Sequence, residues 1–136
     1  MSGIQGKNTK PEILIRSALH RRGFRFRVHY AKLPGKPDIA LPKHRALILV
    51  HGCFWHGHDC HLFQWPKSNT KFWREKIKAN IRRDKSRLAQ YSAEDWRCLT
   101  VWECALKGPK KLSSAELIKR IENWVYQGNS NLELRG

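Results

Sequence analysis

The sequence lacks any apolar run near the roughly 18 residues that a membrane span requires. Its N-terminal residues also lack the apolar stretch of a secretory signal. We therefore expect a cytoplasmic protein that does not bind membranes. Internal repeats and linker-like segments are missing as well, so the 136 residues are expected to form a single domain, residues 1–136.

Acidic residues are scarce. Eleven Asp and Glu stand against 27 Lys and Arg, which gives a net charge of +16. A positive field of this size favours a polyanionic partner, because contacts with phosphates release counterions and steer association. The alternatives are a merely soluble basic surface and an anionic membrane, but the sequence shows no long basic amphipathic helix with an aromatic face. The basic residues are spread along the whole chain, so the folded body itself is expected to bind nucleic acid.

Hydrophobic periodicity and turn residues predict an α/β protein. We expect a helix capped by Thr9 or Lys10 and ending near Arg22, and a last helix that begins at the capping box 113–116 and ends near Tyr126. Between them the patterns predict strands over 24–30, 38–41 and 46–50, and an irregular segment over 51–69. They also predict a long helix that Asn69 can cap and that ends near Gln90, followed by a strand over 96–103. The strand over 46–50 is apolar on both faces and should be central. This order predicts a three-layer α/β/α sandwich.

The most specific local pattern is Cys53-x4-His58-x-Cys60. Three such ligands directly after a strand suit a tetrahedral zinc site that needs one further thiolate. Cys104 or Cys98 could supply it, and strand alternation places both on one face, so periodicity does not choose between them. Reduced cysteines packed in a loop are the alternative. Four protein ligands would make this one zinc structural and not catalytic.

A second group of residues suits acid–base and metal chemistry: Asp38, His51, His56 and Asp84. Asp38 follows Pro37 at the start of a short strand, where a carboxylate can bind Mg²⁺, although Pro-Asp is also an ordinary turn. Asp84 falls on the predicted inner stripe of the long helix and needs a partner there, for which a histidine is suitable. Glu12 has a weaker claim, since an acid in a first helical turn is favourable by itself.

Two aromatic pairs, Phe54-Trp55 and Phe72-Trp73, lie near the predicted metal loop. In a basic protein, aromatic side chains of an irregular loop can enter a base stack and kink the duplex. Ordinary core packing is the alternative. We expect Phe72 to be in the core, on a stripe with Ile77, Ile81 and Leu88, and Trp55 to be exposed.

Taken together, these motifs resemble the very short patch repair endonucleases. The resemblance rests on four segments: Pro37-Asp38-Ile39, residues 50–60 (Val-His-Gly-Cys-Phe-Trp-His-Gly-His-Asp-Cys), residues 72–84 and Val101-Trp102-Glu103-Cys104. It implies a fold related to type II restriction enzymes, with a central mixed sheet. It also implies a bacterial DNA repair enzyme that nicks one strand 5′ to the thymine of a T·G mismatch left by deamination of 5-methylcytosine.

The resemblance implies roles for individual residues. Asp38 would bind two Mg²⁺ ions with help from the main-chain carbonyl of Val50. His56 would be the general base, oriented by Asp84. The remaining catalytic residues would be His51, which faces the scissile phosphate, and Glu12, which supports it. The structural zinc would be bound by Cys53, His58, Cys60 and Cys104. The intercalating wedge and base-reading residues would be Phe54, Trp55, Trp73, Lys76 and Asn80.

The same motifs predict the binding partners and leave two alternative functions. We expect a monomer that binds double-stranded DNA with a T·G mismatch, with mismatch-repair proteins as further partners. Some family members carry Thr where this chain has Val50, which matters little if the carbonyl is the ligand. The rival hypotheses are a non-catalytic zinc-bearing DNA-binding module and a basic RNA-binding protein.

Overall fold

A computed structural model describes residues 9–60 and 62–136 of the chain. The helices are α1 (Lys10–Arg21), α2 (Thr70–Ala93), α3 (Glu103–Leu106) and α4 (Ser114–Gln127), with a 3-10 turn at Pro42–His44. The strands are β1 (Arg27–Val28), β2 (Ile39–Leu41), β3 (Ala46–His51), β4 (Arg97–Trp102) and β5 (Leu132–Leu134). Among the described residues, no helix is both long and apolar enough to cross a bilayer.

The five strands form one mixed sheet in the order β1-β2-β3-β4-β5. The β1–β2 and β2–β3 pairs are antiparallel, whereas β3–β4 and β4–β5 are parallel. The predicted α/β class and the central position of the 46–50 strand are therefore confirmed. His51 pairs with Trp102 where β3 and β4 end together. Such carboxyl ends of parallel strands are where α/β proteins usually build ligand sites.

The core consists of two clusters, one on each face of the sheet. Neighbouring residues of β3 alternate between them: Ile48 belongs to one cluster and Leu47 to the other. The first cluster also contains residues of α1 and α4, namely Ile15, Leu19, Leu117 and Ile121. The second contains Tyr91 of α2. Helices therefore pack on both faces of the sheet.

Local signals account for the ends of the first and last helices. Thr9 caps α1 by accepting the Glu12 N–H at 3.4 Å, and Ser113 caps α4 by accepting the Glu116 N–H at 3.1 Å. Asn69 stands at the start of α2 as expected, but its backbone is left-handed and its side chain makes no capping bond. The prediction that the Asn69 side chain caps the long helix is therefore wrong.

Three other expectations need correction. Strand 24–30 is reduced to Arg27–Val28, both exposed, because it pairs with β2 over two residues only. Phe72, predicted in the core, is 57% exposed, because α2 buries little of its length. Strand β5 was not predicted, since three residues flanked by polar loops carry almost no periodic signal.

Candidate active site and metal centre

An open cleft of about 900 Å³ lies at the carboxyl ends of β3 and β4. Its walls include all the residues predicted for catalysis and magnesium: Glu12, Asp38, Val50, His51, His56 and Asp84. Basic side chains also line it: Lys36, Lys76, Arg83, Arg87 and Lys107. The cleft thus combines carboxylates and imidazoles with a cationic surround that suits a phosphodiester.

Two carboxylates meet on one side of the cleft. The Val50 N–H donates to Asp38 Oδ2 at 2.8 Å, which fixes that carboxylate at the edge of β3. Burial raises the pKa of Asp38 to about 7, and the neighbouring Glu12 adds to the shift. Glu12, 3% exposed, can place a carboxylate oxygen within 4.8 Å of ligand atoms of Asp38 and His29. Oxygen donors whose negative charge is poorly solvated fit a hard divalent cation such as Mg²⁺.

Glu12 also contacts Arg16 and His29. Arg16 donates to Glu12 Oε2 at 3.0 Å, and His29 Nε2 lies 3.4 Å from the same oxygen. Arg16 also lies 3.3 Å from His29 Nε2. These contacts lie on the Asp38 side of the cleft, and the expected support of His51 by Glu12 stays a prediction.

On the other side of the cleft, His56 and Asp84 form a dyad. His56 Nδ1 lies 2.6 Å from Asp84 Oδ2, and each side chain is about a quarter exposed. A carboxylate can only accept a hydrogen bond, so Nδ1 carries the proton and Nε2 is left as a proton acceptor. Asp84 was expected to be buried; it is partly exposed, yet it has the histidine partner that the sequence predicted.

His51 stacks on the dyad. Its ring lies 3.9 Å from that of His56, centroid to centroid, with 1° between the planes. Burial lowers the pKa of His51 to about 3, and the nearby His56 acts in the same direction. His51 is therefore a neutral imidazole near pH 7.

Next to the cleft, Cys53, His58, Cys60 and Cys104 each place one ligand atom within 4.8 Å of the others. His58 Nδ1 is 3.5 Å from Cys53 Sγ and 3.6 Å from Cys104 Sγ. Tetrahedral zinc with Zn–S near 2.3 Å and Zn–N near 2.0 Å requires an S···N separation of about 3.5 Å. The donor set and its spacing fit a four-ligand zinc site.

The surroundings of this cluster suit thiolates. The Cys104 N–H donates to Cys53 Sγ and the Gly136 N–H donates to Cys104 Sγ, both at 3.3 Å. The His58 ring stacks on Trp102 at 4.0 Å. Burial lowers the pKa of His58, which keeps the imidazole in the neutral form that binds a metal.

The structure also separates the two cysteines that periodicity left equivalent. Cys98 packs with Leu47 and Tyr91 in the core cluster beside α2. Strand β4 ends at Trp102, and Cys104 lies in the helical turn α3, so strand alternation does not extend to it. Cys104 is the cysteine that lies with the other ligands.

Aromatic side chains form a cluster at the mouth of the cleft. Phe54, Trp55 and Trp73 make a triangle with centroid distances of 5.2, 5.4 and 5.6 Å. Trp55 was expected to be exposed but is half-buried against Trp73. Asn80 Nδ2 donates to the Trp55 carbonyl at 2.8 Å, which ties this loop to α2.

Known proteins are similar to this chain in sequence. The sequence model of the family DNA mismatch endonuclease Vsr matches residues 1–62. The DNA mismatch endonuclease Vsr of Escherichia coli (strain K12) is 43% identical over 125 residues, 92% of this chain and 80% of the relative. The chain belongs to the Vsr family of DNA mismatch endonucleases.

Further Vsr-like relatives are named as nicking enzymes. The type II nicking enzyme V.XorIIP of Xanthomonas oryzae pv. oryzae is 50% identical over 106 residues, 78% of each chain. V.NmeAIP of Neisseria meningitidis serogroup A is 45% identical over 107 residues, 79% of this chain and 76% of the relative. Membership of the Vsr family makes this protein a DNA endonuclease, a hydrolase that acts on DNA.

Sequence reasoning missed several residues of this Vsr-family site. Glu103 accepts the Cys53 N–H at 3.2 Å, and Trp102 stacks on His58. Both belong to the Trp-Glu-Cys segment on which the resemblance rests, but no role is predicted for either residue from the sequence. His29 gave no signal, because its neighbour Glu12 is 17 residues away in the sequence.

Proposed function

We propose that this Vsr-family enzyme nicks one DNA strand 5′ to the thymine of a T·G mismatch arising from deamination of 5-methylcytosine, with Mg²⁺ as cofactor. One observation carries the proposal. The Asp38 and Glu12 carboxylates face the His56–Asp84 dyad across a single cleft, beside a cluster of aromatic side chains. The groups needed for cation binding, proton transfer and base-pair opening therefore lie at one cleft.

Asp38 and the Val50 carbonyl would bind Mg²⁺, which polarises the scissile phosphate and stabilises the attacking and leaving oxygens. His56 Nε2 takes the proton of the attacking water. Asp84 stabilises the resulting imidazolium through Nδ1. His51, neutral and stacked on His56, would face the phosphate without repelling the charged ring, and Glu12 would support it.

The zinc would be structural, because four protein ligands leave no position for substrate. Its ligands Cys53 and His58 enclose the loop that carries Trp55 and His56. Fixing both ends of this loop would position the general base and the aromatic side chains together.

Phe54, Trp55 and Trp73 would form the wedge that enters the base stack. Unstacking a matched base step costs a few kcal/mol. A T·G pair stacks less well than a matched pair, so inserting the wedge there costs less. Lys76, on the wall of the cleft, and Asn80, which anchors the Trp55 loop, would contact the DNA from α2.

The proposal also covers the layers of the fold and the oligomeric state of the enzyme. Helices on both faces of a mixed sheet support a restriction-endonuclease-like three-layer sandwich over residues 1–136 as a single domain. We propose that the enzyme acts as a monomer on duplex DNA and that its nick is passed to mismatch-repair proteins.

The test is cleavage of end-labelled duplexes that differ only in one central pair: T·G, C·G or T·A. Magnesium is added to or omitted from metal-free buffer, and zinc content is checked in both arms. We expect Mg²⁺-dependent nicking of the T·G duplex, 5′ to the thymine. A protein that binds all three duplexes and nicks none would be the non-catalytic zinc module, and equal nicking of all three would remove the mismatch specificity.

A further inference from the structure

Outside the cleft, a tryptophan and an arginine form a stacked pair. The Arg74 guanidinium carbon lies 4.8 Å from the centroid of the Trp65 ring. Trp65 is 40% exposed and Arg74 is exposed as well. The ring face attracts the cation and holds the guanidinium plane in one orientation at the surface.

This pair is connected to the cleft by aromatic rings. Trp65 contacts Phe63 at 4.9 Å, and Phe63 stacks with Phe54 at 5.9 Å. Phe54 lines the cleft. The Trp65–Arg74 pair therefore lies two ring contacts away from the walls that hold the carboxylates and histidines.

The charge around the pair is predominantly positive. Residues 61–83 contain seven Lys and Arg and one acid, Glu75. Among the flanking side chains, Lys67 and Lys71 are exposed. The first turn of α2 contains no acidic residue, so its unpaired N–H groups add partial positive charge. An anion is the ligand that this surface fits.

We propose that Trp65 and Arg74 form a clamp for a backbone phosphate of the DNA duplex beside the nick site, a contact that rests on the function proposed above. The indole face holds the guanidinium plane, and the N–H edge then points outward as a fork that matches two phosphate oxygens. Lys67 and Lys71 attract the backbone to this place. The clamp sets affinity and register and carries no information about the mismatch.

The experiment measures binding to matched and T·G duplexes over a range of salt concentrations. Arg74→Ala should weaken binding to both duplexes equally and lower the slope of log K against log salt by about 1, because one phosphate contact is lost. Trp65→Ala should weaken both equally, with a smaller change of slope. The double variant should bind no worse than Arg74→Ala, since the indole acts through the guanidinium. Arg74→Lys should regain the slope but not the full affinity.

Lys119→Ala on α4 is the matched control, because it removes one exposed positive charge from a helix that packs on the other face of the sheet. Its salt slope should equal that of the wild type. An equal loss of slope in Lys119→Ala, additive effects of the two clamp variants, or a changed ratio of T·G to matched binding in Trp65→Ala would each overturn the clamp. Melting temperature and zinc content of each variant verify folding. Failure of the wild type to nick T·G duplex would refute the proposed function alone.

Discussion

Two buried cysteines, Cys98 at the start of β4 and Cys104 just after its end, offer a sharp test of the zinc site. Cys98 and Cys104 are 1% and 0% exposed, so replacing either with Ser perturbs a buried thiol by one atom. Only Cys104 lies with Cys53, His58 and Cys60. We expect Cys104→Ser to lose zinc and Cys98→Ser to retain it.

The two substitutions should lower the free energy of unfolding by very different amounts. Structural zinc contributes on the order of 10 kcal/mol in zinc-dependent folds, which is comparable with the whole stability of a domain. Loss of the Cys104 ligand should therefore leave the protein unfolded or close to it at 37 °C. In Cys98→Ser a hydroxyl replaces a thiol among apolar neighbours, and an unsatisfied buried hydroxyl costs about 1–3 kcal/mol.

The assay combines zinc analysis of the purified proteins with thermal melting before and after a strong chelator. The wild type and Cys98→Ser should contain about one zinc per chain and melt lower after chelation, since zinc binding is coupled to folding. Cys104→Ser should contain none and be insensitive to the chelator. Zinc retained in Cys104→Ser and lost in Cys98→Ser would refute the ligand assignment.

Three further predictions concern the cleft and the aromatic cluster. His56→Ala should reduce the nicking rate roughly 10²–10⁴-fold, the usual contribution of a general base, with T·G duplex binding retained in a gel-shift assay; normal cleavage would make His51 the next candidate. Asp38→Asn should abolish nicking yet raise the melting temperature in Mg²⁺-free buffer. Because burial raises the pKa of Asp38 from 3.8 to about 7, its stabilising contribution is present below pH 4 and lost as pH rises through 7. The gain in melting temperature from Asp38→Asn should therefore grow between about pH 4 and 7 and level off above pH 7. A gain that does not depend on pH would contradict this cause. Trp55→Ala should reduce the preference for T·G over matched duplex without changing the salt slope, whereas a destabilised variant that still discriminates would refute the wedge.

The elements predicted best are those with signals inside their own sequence. Helix α4 has a capping box at its start and a regular apolar stripe, and both its ends were predicted within about two residues. Strand β3 is a continuous apolar run, and it occupies the middle of the sheet. The ligands Cys53, His58 and Cys60 stand within eight residues, which made the loop recognisable from spacing alone.

Features fixed by distant contacts could not be predicted in this way. The choice between Cys98 and Cys104 depends on where β4 ends, and element boundaries are poorly encoded in local periodicity. Phe72 falls on an apolar stripe with Ile77, but burial depends on whether the sheet extends beneath that turn of α2, and Phe72 is exposed. The Glu12 contacts with Arg16 and His29 require α1 and the segment after β1 to meet, which no pattern within either segment predicts.

Gly57 lies in the zinc loop and packs against α2, the helix that carries Asp84. Its φ is +61°, and a Cβ atom there would lie 2.8 Å from both Ile77 Cγ2 and Ile81 Cδ1. Gly57→Ala should therefore push the loop away from α2, lengthen the 2.6 Å contact between His56 and Asp84 and lower the nicking rate more than DNA affinity. The matched control is Gly23→Ala, because Gly23 also has a positive φ, +78°, but no atom within 4 Å of the added Cβ. Both variants carry the backbone strain of roughly 1 kcal/mol, so both should melt lower, and only Gly57→Ala should lose activity. Zinc content should stay at the wild-type value in both. Equal nicking rates of the two folded variants would show that close packing of the loop against α2 is not what positions the general base.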